Sequence, residues 1–263
     1  MKYFDAHCHI QFDMFDEDRK AVIDAMTSQE IGGIVVGVDL PSSKQAIDLV
    51  EGYENLYAGV GLHPNYTQEE QFDGDEYMKL AEGRRVVTIG ECGLDYFRPE
   101  DVAGTKALQQ DVLKEHIALA VATGKPLMIH ARPSKGTMDA YTDLIAILKE
   151  AKQKYGEKLT GNVHFFVGGV TESRELFDLN FTISYTAVLT FTHEYDEVVR
   201  QAPLTHLLTE TDSPYVAPPP NRGKRNDPRS IPAVVEAIAR IRGEDVEQVR
   251  TQLLENAKKL FKL

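Results

Sequence analysis

The sequence predicts an α/β chain closed into a parallel eight-stranded (β/α)8 barrel of the TIM type, with residues 1–263 forming a single domain. Three observations carry that expectation. Eight short runs rich in β-branched and apolar residues alternate with longer stretches of helical periodicity. The length of 263 residues is near that of one such barrel. Residue types that bind metals or phosphates recur where most of those runs end.

The strand runs lie at 3–7, 33–38, 56–61, 86–91, 126–130, 161–165, 181–185 and 206–210. After the first, 16–29 places Val22, Ile23 and Met26 on one helical stripe. Ser42 or Ser43 is positioned to cap the next helix, whose inner face is Ala46, Ile47 and Val50. A short helix at 76–81 precedes the fourth strand. The longest helix, 105–123, turns Leu108, Val112 and Ala120 inward and stops at Gly124 and Pro126. The helix at 139–155 ends at Gly156, Thr171 is placed to cap 172–179, and 194–201 ends before Pro203. Pro214, the run Pro218-Pro219-Pro220 and a polar loop to Ser230 follow the eighth strand. Helices at 231–242, stopped by Gly243, and at 245–263 complete the chain. An open doubly wound sheet is the competing architecture. The lack of a Gly-x-Gly-x-x-Gly after the first strand counts against it.

An apolar content of 42% and a charged content of 27% are ordinary for a soluble globular enzyme. The net charge of −12 disfavours a general DNA coat or a membrane-surface binder. It leaves room for an enzyme that meets nucleic acid only at a local basic rim. Cys8 and Cys92 make no disulfide framework and read as reduced thiols. The chain opens on no basic-then-apolar leader, and no apolar run approaches the ~20 residues of a membrane helix. Together these point to a cytoplasmic protein without a membrane or an obligate protein partner.

The stretch Phe4-Asp5-Ala6-His7-Cys8-His9 is the first of the rim signals. In a strand, alternate side chains share a face, so Asp5, His7 and His9 are expected to project together. Two neutral imidazoles so placed form a claw for a divalent metal. Later runs end in Gly61-Leu62-His63-Pro64, in Gly90-Glu91-Cys92-Gly93-Leu94-Asp95, in His130-Ala131-Arg132, in His164 and in Glu210-Thr211-Asp212-Ser213-Pro214. Barrel enzymes place their chemistry at those ends. Burying such groups without partners is costly. Four imidazoles with Glu91 and Asp212 match two divalent metals that share a bridging carboxylate. Gly90 and Gly93 permit close backbone approach around Glu91. Asp5 and Glu210 read either as acceptors that orient the ligand histidines or as buried structural bonds. His63 is a phosphate contact or a packed core histidine. Arg132 is a phosphate contact in the same cavity or a surface ion pair. His116, His193 and His206 occupy ordinary positions. Segment 221–229 sets Arg222, Lys224, Arg225 and Arg229 against one acidic residue, Asp227, directly after the Asp212 loop. That placement favours anion recognition over a merely solvated loop.

These residues resemble the TatD family of metal-dependent deoxyribonucleases, within the amidohydrolase-like barrels, over nearly the whole chain. The motifs that carry the likeness are Asp5-Ala6-His7-Cys8-His9, Gly61-Leu62-His63-Pro64, Ile89-Gly90-Glu91-Cys92-Gly93-Leu94-Asp95-Tyr96, Thr209-Glu210-Thr211-Asp212-Ser213-Pro214-Tyr215 and Arg222-Gly223-Lys224-Arg225-Asn226. The resemblance implies that His7, His9 and Asp212 hold one metal, His130 and His164 a second, with Glu91 between them. Three departures bear on substrate choice rather than on metal binding. His164-Phe165-Phe166 stands where the family usually has His-Cys-Phe, Pro133-Ser134 follow Arg132 in place of an acidic residue, and Asn65 follows Pro64 where a second histidine is common.

The function implied is a binuclear phosphodiesterase that acts on DNA ends with two zinc, manganese or magnesium ions. Glu91 and Asp212 are its catalytic carboxylates, with Asp212 the proton acceptor. Arg132, Arg222, Lys224 and Arg225 hold flanking phosphates of DNA or another phosphodiester, and His63 assists. No aromatic stacking ladder is visible in the sequence, so no sequence-specific reading of bases is expected. Hydrolysis of a small amide, lactone or ester is the second expectation. A barrel scaffold without turnover is the third, and the filled ligand positions weigh against it.

Overall fold

A computed structural model of the chain describes residues 1–97 and 102–263. Eight parallel strands form one sheet in sequential order: β1 (Tyr3–Cys8), β2 (Ile31–Val36), β3 (Leu56–Val60), β4 (Val86–Asp95), β5 (Leu127–Arg132), β6 (Gly161–Val163), β7 (Thr182–Tyr185) and β8 (Leu207–Thr209). The intervening helices are α1 (Arg19–Ser28), α2 (Leu40–Val50), α3 (Gly74–Ala81), α4 (Val102–Thr123), α5 (Asp139–Tyr155), α6 (Val170–Asp178) and α7 (Asp196–Gln201). Two more, α8 (Ile231–Arg242) and α9 (Val246–Phe261), follow the last strand. Parallel strands need crossover helices, and the alternation in the sequence supplies them. The arrangement is a nearly closed (β/α)8 TIM barrel.

The helical stripes pack as their spacing predicts. Val22, Ile23 and Met26 of α1 are buried between helix and sheet. A second cluster joins Phe4, Ala6, Ile34, Val36, Met128 and Leu208 of the strands to Phe261 near the end of α9. Burying each such aliphatic or aromatic side chain stabilises the fold by roughly 1.5–3 kcal/mol.

The β1–β8 seam closes by fewer backbone bonds than a full ladder. Asp212 N donates to His7 O at 2.9 Å and His9 N to Ser213 O at 2.7 Å, around a parallel bridge between Cys8 and Ser213. Side chains complete it. Thr209 Oγ1 donates to Phe4 O at 3.1 Å. Asp5 accepts from Thr211 N at 2.8 Å and Thr211 Oγ1 at 2.5 Å.

Several elements depart from their expected bounds or faces. β4 runs on to Asp95 instead of stopping at Glu91, because its pairing with β5 shifts register between Ile89 and Cys92 and then resumes. Asp39, not Ser42 or Ser43, caps α2. It accepts from Ser42 N at 2.7 Å, with Pro41 in the first turn. Thr171 caps nothing, since α6 begins one residue earlier and Glu172 bonds back to Gly169 N at 2.9 Å. Leu108 faces solvent at 39% exposure, while Leu113 and Ile117 take the inner face beside Val112 and Ala120. His206 ends a short 3-10 turn at Leu204–His206 ahead of β8.

Candidate metal centre

β1 delivers His7 and His9 to the C-terminal mouth of the barrel, both buried. Their Nε2 atoms stand 3.0 Å apart. His9 is oriented by its other ring nitrogen, Nδ1, which lies 2.8 Å from Val36 O and donates to it, leaving Nε2 as a lone-pair donor. Asp5 does not join them. The β1 register shifts between Asp5 and Cys8, which breaks the strict alternation expected over Asp5, His7 and His9. The Asp5 carboxylate takes His7 N at 3.2 Å and the Thr211 clasp instead.

Glu91 of β4 sits at the centre. Its Oε2 is 3.3 Å from His7 Nε2 and 3.7 Å from His9 Nε2. Its Oε1 is 3.2 Å from His63 Nε2, 2.9 Å from His130 Nδ1 and 2.8 Å from His164 Nε2. Five imidazoles therefore surround one buried carboxylate. Glycine is required on both sides of it. Gly90 and Gly93 have φ of +135° and +139°, and an added Cβ would stand 2.2 Å from Met128 O and 2.0 Å from His130 O respectively.

Two buried carboxylates steer the remaining histidines. Asp95 Oδ2 lies 3.1 Å from His130 Nε2, so His130 turns Nδ1 toward Glu91. Asp95 also accepts from Phe97 N at 3.0 Å and Asn65 Nδ2 at 3.3 Å. Glu210 Oε1 lies 3.5 Å from His164 Nδ1 and accepts from Phe165 N at 2.6 Å. Its Oε2 takes Ser184 Oγ at 2.6 Å, and Ser184 in turn accepts from Asn162 Nδ2 at 2.7 Å. This fixed polar relay holds the orientation expected of Glu210. Asp95 is the functional residue that the sequence reading left without a role, although positions 91, 93 and 95 share strand parity.

The electrostatics call for positive charge at the centre. Burial opposes ionisation of Glu91, yet His63, His164 and His7 hold it well below the usual carboxylate range. Burial and the neighbouring His164 drive His7 down to about 3. Burial opposes charge on His9 as well, but Asp212 and Glu91 outweigh it and raise its pKa. Burial likewise works against Asp95, which its contact with His130 nevertheless brings to about 2. Among the described residues, the buried Nδ1 atoms of His7 and His164 have no hydrogen-bond partner, His164 Nδ1 having only the 3.5 Å ion-pair contact with Glu210. Facing lone pairs, unsatisfied ring nitrogens and a central carboxylate are the donor set that divalent cations satisfy. Three overlapping groups bring their ligand atoms within 4.8 Å of one another: His7–His9–Glu91, His63–Glu91–His130 and His7–His164–Glu210. Asp212 stands beside them, its Oδ1 3.6 Å from His9 Nε2 and 3.9 Å from His7 Nε2.

The centre opens into a cleft of about 1010 Å³ lined by His63, Arg132, Phe165, Tyr66, Asp212 and Tyr215 among others. His63 Nδ1 accepts from Asn65 N at 3.1 Å, which leaves Nε2–H to donate to Glu91. Arg132 lies over the Phe97 ring at 4.1 Å and has no ion-pair partner among the described residues. The basic segment behaves differently from its sequence reading. Arg225 is clamped between Met14 O at 2.7 Å and both Asp18 oxygens at 2.8 and 2.6 Å, above the Phe15 ring, so its donors are engaged in tying the loop down. Arg229 pairs with Asp227 at 2.6 Å. Arg222 and Lys224 are exposed and stand outside the cleft lining. His116 is buried in α4, its Nδ1 donating to Val112 O at 2.8 Å and its Nε2 accepting from Leu62 N at 3.0 Å.

The family described as TatD related DNase matches residues 4–262. The chain belongs to that family. It is 35% identical over 264 residues to the uncharacterized metal-dependent hydrolase YabD of Bacillus subtilis, covering 99% of each chain. It is 30% identical over 268 residues to the 3'-5' ssDNA/RNA exonuclease TatD of Citrobacter rodentium, covering 98% of this chain and 97% of that one. The crystal structure of YJJV, a TatD homologue from Escherichia coli, matches with a TM-score of 0.89 at 26% identity, over 100% of this chain and 98% of that one. A TatD-type metal-dependent hydrolase is thus what the fold and family establish. No helix among the described residues is long and apolar enough to cross a membrane.

Proposed function

We propose that this hydrolase is a phosphodiesterase that acts on DNA ends. The observation that supports it best is the pairing, in one cleft, of the five-imidazole Glu91 centre with the Arg132 guanidinium, which has no ion-pair partner among the described residues. A relative named as a 3'-5' ssDNA/RNA exonuclease supports the same reading. The cleft volume of about 1010 Å³ also reaches the upper end of small-ligand pockets and leaves room for a polymer terminus.

His7, His9 and Asp212 would hold one divalent cation and His130 with His164 a second, with Glu91 facing both. Such ions bring a water to reactive basicity near neutral pH and neutralise charge that develops on a phosphate. Asp95 at His130 Nε2 and Glu210 near His164 Nδ1 keep the ring nitrogens aimed inward. Asp212 accepts the proton from the attacking water at its carboxylate. Arg132 binds the scissile or adjacent phosphate, with its guanidinium held flat by Phe97. Arg222 and Lys224 attract flanking phosphates from the exposed loop, a role that Arg225 gives up to its clamp on Asp18.

Asp212→Asn tests the chemistry. Asn keeps an oxygen that can coordinate but takes no proton at neutral pH. The variant should retain most of its metal and lose kcat on an oligonucleotide by roughly 10²–10⁴-fold, with KM little changed. Turnover restored by excess metal would leave Asp212 a ligand only. A wild-type enzyme that hydrolyses lactones or carboxylic esters but no phosphodiester would replace the proposal with the small-molecule reading.

A further inference from the structure

Among the described residues, the large aromatic side chains that stand exposed are four: Tyr66 at 37%, Phe97 at 49%, Phe191 at 38% and Tyr215 at 51%. All four lie in loops that leave the C-terminal ends of strands, namely those after β3, β4, β7 and β8. None lies on an outer helix or at the opposite end of the barrel. Exposed apolar rings scattered singly need no explanation, but a set confined to the loops at one end of the barrel marks a binding surface. Tyr66 and Tyr215 line the cleft itself. The other two rings each carry a guanidinium on one face, Arg132 over Phe97 at 4.1 Å and Arg222 over Phe191 at 3.3 Å.

We propose that these four rings form a nucleobase-stacking surface that holds single-stranded nucleic acid across the candidate metal centre. The chemistry of each Arg–aromatic pair matches one nucleotide, with a cation for the phosphate and a flat apolar face for the base. The arginine covers one face of its ring and fixes the ring plane, while the exposed remainder is open to a base. In a barrel of sequential strand order, the loops after β3 and β4 stand across the mouth from those after β7 and β8. A strand that stacks on both sides therefore passes over Glu91. Bases within a duplex are already stacked on one another, so the surface selects unpaired bases. Stacking accepts every base, because every base has a flat face. The proposal rests on the phosphodiesterase reading and assigns these four side chains to holding the bases of its substrate.

The experiment uses the metal-loaded enzyme with a single-stranded oligonucleotide and the same oligonucleotide carrying abasic sites next to its end. Phe97→Ala, Phe191→Ala and Tyr215→Ala are each expected to raise KM for the intact strand roughly 5–100-fold with kcat little changed. Abasic sites should raise KM of the wild-type enzyme by a similar factor. Combining a ring deletion with the abasic strand should add little further loss, and Phe97→Trp should keep the wild-type KM. Intact and abasic strands weakened equally by the ring deletions would overturn the proposal, as would an unchanged KM in all three variants. Wild-type turnover of bis(p-nitrophenyl) phosphate without cleavage of any oligonucleotide would instead remove the nucleic-acid reading, and the stacking surface with it.

Discussion

Replacing His116 with Gln should make the stability difference between variant and wild type depend on pH in a defined direction. His116 is fully buried, and that burial lowers its pKa from 6.5 to about 4. The neutral ring donates to Val112 O and accepts from Leu62 N. In the unfolded chain the same ring takes a proton near its ordinary value. Between the two values the unfolded state binds more protons, so stability rises with pH there and is lost as pH falls. Each pH unit of separation is worth about 1.4 kcal/mol. From about pH 7.5 to about pH 5 the wild type should lose roughly 2 kcal/mol through this residue alone. His116→Gln lacks that loss. At the higher pH it should be less stable by about 2 kcal/mol for two hydrogen bonds, and at the lower pH the gap should nearly close. Urea unfolding of both proteins at several pH values, with equal m-values confirmed, measures it. A gap that stays constant with pH would refute a neutral, buried His116.

Three further outcomes follow from geometry. Gly93→Ala places a Cβ 2.0 Å from His130 O at a φ of +139°, and should cost at least about 3 kcal/mol or abolish soluble expression, as read by a urea midpoint. Asp95→Asn removes the anionic anchor at His130 Nε2 and should weaken metal affinity about 10–100-fold, checked by titrating metal into chelator-treated enzyme. Arg225→Ala breaks a half-exposed clamp on Asp18, so only about 1 kcal/mol, or roughly 2 °C in Tm, should be lost.

The barrel was legible because its two patterns are strong: short continuous apolar runs that become strands buried on both faces, and helices with stripes such as Val22, Ile23 and Met26. The histidines and Glu91 were legible because strand ends converge in this fold, whatever their separation in the chain. Features set by local irregularity were not. The β1 register shift turned Asp5 away from His7 and His9, and β4 ran on past its expected end at Glu91 to bring Asp95 to the centre. The strong charge of Arg222, Lys224 and Arg225 revealed nothing of the Asp18 carboxylate waiting 207 residues away in sequence for Arg225. Likewise, four aromatic residues scattered from Tyr66 to Tyr215 form no ladder as text, and only ring closure sets them around one opening.

That closure has a consequence for how activity arises. The bond from Thr211 to Asp5 spans 206 residues, and the contacts that finish the ring join the first strand to the last. His7 and His9 leave the ribosome at the start of synthesis, while Asp212 emerges only near its end. Long-range contacts of this kind form late, because the entropy of closing so large a loop must be overcome before they stabilise anything. A nascent or truncated chain that stops just short of Leu207 carries every histidine of the centre but lacks the strand that seals the wall and the carboxylate proposed to take the proton. On the proposed roles, the imidazoles and the proton-accepting carboxylate come together only when the two ends of the chain meet.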